Sequence, residues 1–103
     1  MHIALVMNAR LPVTGYGGTE RVVTWLCRGL LDLGHQVSLI ASTGTRLRGV
    51  RVIEADHRAL QQRDFDVAPL LPSGVDIVHA HRQLWVPPAV PAIWTLHGNP
   101  PPG

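Results

Sequence analysis

Three histidines and a knot of glycines are the residues of this chain best suited to chemistry. His79 and His81 stand two apart, and His97 follows in a Thr95-Leu96-His97-Gly98 segment. Gly15, Gly17 and Gly18 crowd a short stretch that also holds Tyr16 and Glu20. An imidazole beside a breaking bond can hydrogen-bond a hydroxyl or a developing charge and exchange a proton near neutral pH. Glycines let backbone N–H groups approach an anion closely, and a helix starting just after them adds a partial positive charge. A phosphate or diphosphate is the natural guest of such a loop. A ligand-free strand-to-helix turn has the same composition, and the glycines alone do not separate the two.

Other readings of these residues can be tested by spacing. A P-loop needs a lysine at its end, and the nine basic residues of this chain are all arginine. A dinucleotide fingerprint needs its glycines directly after the first strand and an acidic residue near the end of the second. Here the glycines come late, and Ala41-Ser42-Thr43-Gly44 carries no carboxylate. His79 and His81 alternate along a strand, so both face the same way, and His97 nearby would make a three-histidine zinc set. No Asp, Glu or Cys close by completes such a set, so no metal and no other cofactor is expected. Glu20 suits the first turn of a helix as an acid near the positive end of its dipole. Tyr16 could stack on a sugar or simply sit exposed in a turn.

These residues need a frame, and the hydrophobic pattern supplies one. Residues 3–7, Ile-Ala-Leu-Val-Met, form a continuous apolar run, the mark of a strand covered on both faces in a parallel sheet. From Glu20 the period changes to that of a helix: Val22, Val23, Leu26, Cys27, Leu30 and Leu31 share one side. Thr19 is the expected N-cap and Gly34 the expected stop. Cys27 falls on the apolar side as a small core residue. Trp25 falls on the polar side, either as a contact surface or packed under an arginine. Strands are expected at 37–41, 50–54, 75–80 and 92–96, with Trp85 and Trp94 as packing residues. Residues 56–71 are ambiguous, because Pro69 argues against one unbroken helix. The Pro87-Pro88 pair belongs in a loop.

Alternating strands and helices of this kind predict an α/β fold, a doubly wound, Rossmann-like parallel sheet of about five strands in the order 3-2-1-4-5 with flanking helices. Ligands of such sheets bind outside the carboxyl ends of the strands. The glycine loop, His79 with His81, and His97 with Gly98 all map to that edge.

The segments Ile3-Ala4-Leu5-Val6, Gly15-Tyr16-Gly17-Gly18-Thr19-Glu20 and Gly34-His35-Gln36-Val37 resemble the start of retaining GT-B glycosyltransferases of family 4. Asp76-Ile77-Val78-His79-Ala80-His81 and Thr95-Leu96-His97-Gly98 fit the same pattern in the same order. The resemblance implies transfer of a sugar from a nucleotide-sugar donor to an acceptor with retention of configuration. It implies that Gly17 and Gly18 approach the donor diphosphate and that His97 is the active-site histidine. Tyr16, Glu20, His79, His81 and Gly98 would line the cleft on the acceptor side. It further implies that residues 1–103 are the incomplete N-terminal domain of a GT-B fold, inactive alone. The C-terminal Rossmann-like domain that binds the donor nucleotide would be absent.

Composition narrows the partners. Hydrophobic residues make up 46% and charged residues 16%, enough apolar material for a single core. The arginines are scattered from Arg10 to Arg82 with a net charge of only +2, a poor footprint for nucleic acid. A single cysteine excludes an internal disulfide and suits a reducing cytoplasm. The first apolar run is too short to span a bilayer and lacks the flanks of a signal peptide. A lipid acceptor would add a peripheral membrane contact. A second reading stays open: a non-catalytic Rossmann-like binding or assembly module that pairs through its last strand.

Overall fold

A computed structural model describes residues 1–7, 18–81 and 84–95 of the chain. Five strands form one sheet: β1 (His2–Val6), β2 (Gln36–Ser42), β3 (Arg51–Ala55), β4 (Ile77–Ala80) and β5 (Ala92–Trp94). Their order is β3-β2-β1-β4-β5 and every neighbouring pair is parallel. Helix α1 (Gly18–Asp32) joins β1 to β2, and a short helix α2 (His57–Gln61) lies between β3 and β4. The expected Rossmann-like α/β arrangement and strand order are therefore the observed ones.

Parallel strands need connections that cross a face of the sheet, and the two faces carry separate cores. On one face α1 lays Val23 and Cys27 against Ile3, Leu5, Met7, Val37 and Leu39. On the other, Leu60 of α2 with Phe65 and Val67 covers Ala4, Val6, Ile40 and Val78. β1 and β2 are buried on both sides, which is why Ile3 to Val6 reads as an unbroken apolar run and why Val37 to Ala41 is apolar but for the buried Ser38. Full burial of each such aliphatic side chain contributes about 1.5–3 kcal/mol.

The start of α1 differs from the sequence reading. The helix begins at Gly18, so Thr19 lies inside the first turn and cannot be the N-cap, which sits outside the helical residues. Its end is as expected. Gly34 adopts φ +89°, its N–H donates to the Leu31 carbonyl at 2.9 Å, and the His35 N–H donates to the Leu30 carbonyl at 3.1 Å. Those two bonds make a Schellman turn, which only a residue at ease with positive φ closes without strain. Trp25 is exposed, in keeping with its place on the polar side, and Cys27 is fully buried.

Two strands are shorter at their start than their apolar residues suggested. Val50 closes a turn, its N–H donating to the Leu47 carbonyl at 3.3 Å, and β3 begins one residue later. Val75 is buried in the α2-side core without joining the ladder. The ambiguous stretch resolves into α2 and a single 3-10 turn, Ala68–Leu70, with Pro69 inside its first residues. Proline suits that position because the N–H it lacks would have had no intrahelical partner. Among the described residues no helix is long and apolar enough to cross a membrane.

Candidate functional site

The carboxyl end of β4 gathers the chemistry. His79 lies opposite Leu5 in the β1–β4 register, and Leu5 belongs to the α1-side core. His79 and, two residues on, His81 therefore stand on the α1 side of the sheet. Their rings stack with centroids 4.4 Å apart and planes 30° from parallel, a contact that the two-residue spacing permits. The ladder carries on past Ala80: the His81 N–H donates to the Val6 carbonyl at 2.7 Å. This bond ties the second histidine to the end of β1. His81 is 6% exposed, whereas His79 is half-buried.

β5 brings in a third polar group. The Thr95 N–H donates to the Ala80 carbonyl at 2.9 Å, and Thr95 Oγ1 lies 2.9 Å from His79 Nε2. That contact helps to fix the orientation of the His79 ring. Thr95 opens the Thr95-Leu96-His97-Gly98 segment, so this bond ties the start of that segment to the histidine-bearing strand end. The sequence named the segment but held no signal for this bond, which depends on β4 and β5 lying side by side in the register His79↔Ile93.

An imidazole–hydroxyl pair, His57 with Ser42, occupies the same edge on the opposite face. Ser42 follows Ile40 in the alternation of β2 and so lies on the α2 side. Its Oγ is 2.9 Å from His57 Nδ1. His57 opens α2, whose N-cap is Asp56, the carboxylate accepting the Ala59 N–H at 3.2 Å. The sequence reading passed over His57. Its position directly after a strand end, beside a capping Asp, was the signal that could have found it.

The remaining candidates divide by position. Gly18 is the first residue of α1, which puts its backbone at the helix N-terminus where an anion is favoured. Tyr16, Gly17, His97 and Gly98, and the side chain of Glu20, lie outside the described residues. Cys27 is no nucleophile: burial pushes its thiol up to about 11, so it stays protonated and unreactive at neutral pH. Among the described residues no three His, Cys, Asp or Glu side chains come together as a metal site.

The arrangement defines a class, an α/β parallel-sheet protein with hydrogen-bonding imidazoles at the carboxyl edge of its strands. Comparison of the chain with protein-family models, curated proteins and solved structures gives no match in any of the three.

Proposed function

We propose that the chain forms one wall of the cleft of a retaining GT-B-type glycosyltransferase that acts in the cytoplasm on a nucleotide-sugar donor. The observation that supports this most is the His79–His81 stack joined to Thr95 at the carboxyl edge of the sheet. Stacked imidazoles, one of them hydrogen-bonded to a hydroxyl, suit the hydroxyls of a sugar, which offer donors and acceptors in the same small volume. In this reading Gly17 and Gly18 approach the donor diphosphate at the start of α1, and His97 stands beside the transferred sugar. Tyr16, Glu20, His79, His81 and Gly98 line the acceptor side. A second Rossmann-like domain supplies the nucleotide site. No metal or other cofactor takes part.

Titration of the chain with UDP-, GDP- and ADP-sugars, followed by amide chemical shifts, tests the reading. Because the second domain supplies the nucleotide site, one of them is expected to bind the chain only weakly, through its diphosphate, with shifts at the Gly17 and Gly18 amides, and Gly18→Ala to weaken that binding further. Saturable binding of NAD with none of the nucleotide sugars would sink it.

The exposure of Ile93 and Trp94 on the outer strand favours a second reading, an assembly module paired through β5. Sedimentation equilibrium decides between the two. A defined oligomer whose state survives substitution of His97 supports assembly, and a monomer removes it.

A further inference from the structure

At the amino end of the sheet, away from the histidine stack, the structure holds a groove of about 320 Å³. It forms where β2 outruns β3. The β2–β3 register begins at Ser38↔Arg51, so Gln36 and Val37 extend past the start of β3 and line the gap. The Schellman turn of α1 closes one side with Leu31 and His35, and Gly49 closes the other. A Cβ on Gly49 would stand 3.3 Å from Leu31 Cδ1, and its φ is +80°. That wall is built tightly around a residue without a side chain.

The lining is rich in donors and holds no carboxylate. His2, His35 and Arg51 reach it from three separate elements: the start of β1, the α1–β2 turn and the start of β3. The His2 ring is pinned, its Nε2 lying 2.7 Å from the Oγ of the fully buried Ser38. Arg51 forms no ion pair among the described residues, which leaves its guanidinium available. The C-terminal end of α1, which includes Asp32, opposes an anion through its partial negative charge. Three of its last carbonyls are already engaged, because the N–H groups of Leu33, Gly34 and His35 donate to Gly29, Leu31 and Leu30. Asp76 accepts the His2 backbone N–H at 2.7 Å and does not line the groove.

We propose that this groove is a binding site for a phosphate monoester, with Arg51 as its principal contact and His35 and His2 as flanking donors. Donor-bearing residues of the lining on three separate elements suit a group with three terminal oxygens better than a planar carboxylate, and a guanidinium fork can engage two of them at once. The volume leaves room for a small organic body beside the phosphate, with Leu31 and Val37 as its apolar floor.

The test uses the whole chain and inorganic phosphate at constant ionic strength, with acetate and glucose 6-phosphate as parallel titrants. Phosphate is expected to saturate amide shifts at Gln36, Val37, Ser38, Gly49 and Arg51, and the monoester to bind more tightly than phosphate. Acetate should bind least. Arg51→Gln should weaken phosphate binding about tenfold or more, Arg51→Lys less, and Arg58→Gln, which removes the same charge elsewhere, not at all. Shifts that never saturate, or equal losses in Arg51→Gln and Arg58→Gln, would reduce the effect to charge screening and overturn the proposal. Shifts confined to Gly18, His79 and Thr95 would overturn it too, while leaving the carboxyl-edge reading intact.

Discussion

β1 and β5 are both short apolar strands of the same sheet, yet they meet different fates. Ile3-Ala4-Leu5-Val6 is buried on two faces, whereas Ile93 and Trp94 of β5 are 53% and 43% exposed. Residue type does not explain the contrast, since Ile93 is as apolar as Ile3. Layering does. β1 has α1 on one face and the α2 segment on the other, with a hydrogen-bonded neighbour on each side. Among the described residues β5 is the edge strand, paired with β4. The centre of the sheet therefore carries the stability of the fold. Its rim carries the polar groups that can meet a ligand, and Thr95 owes its access to His79 to that position.

The contrast can be broken by measurement. Leu5→Ala removes a fully buried side chain from beneath α1 and should cost about 2–5 kcal/mol. Ile93→Ala, already half-solvated, should cost less than about 1 kcal/mol. Urea unfolding of both variants checks this, and equal losses would mean that β5 is covered as thoroughly as β1.

Cys27 sharpens the same comparison from the side of α1. Its folded pKa, raised by burial to about 11, exceeds that of an unfolded thiol. Between those two values the folded state holds the proton that the unfolded chain has lost. The resulting stability is complete below the unfolded pKa and falls as pH rises toward 11. Urea midpoints between pH 8 and 11 should drop more steeply for the native chain than for Cys27→Ala. Parallel curves would place the thiol in contact with water. At the rim the effects shrink. The Arg63 guanidinium lies 4.3 Å from the ring centroid of Trp85, and Arg63→Ala should cost about 0.5–1 kcal/mol, the value of an exposed cation–π contact. A thermal melt reads this, and a loss as large as that of Leu5→Ala would contradict the division into centre and rim.

Much of the frame was legible in the residues. The unbroken run at 3–7 announces a strand buried on both faces, the 3.6-residue period after Glu20 announces α1, and Gly34 marks its end. Those signals are local, set by how a chain a few residues long presents its side chains. The shared face of His79 and His81 was equally legible, because alternation in a strand puts i and i+2 on one side, whereas the stacking of their rings appears only in the structure.

Other features depended on elements distant in the chain. Thr19 matched a cap by type, but the helix starts at Gly18, and where the first turn closes is not encoded in one residue's preference. The Thr95–His79 and Ser42–His57 bonds each join two elements, so no single segment announces them. The amino-end groove is further still from the sequence. It exists because β2 is longer than β3 at one end and because a turn of α1 and Gly49 close around the step. Periodicity determined which segments are strands and helix and which faces are apolar. Strand order, register and differences in strand length decided which polar groups meet, because those contacts appear only once the sheet has assembled.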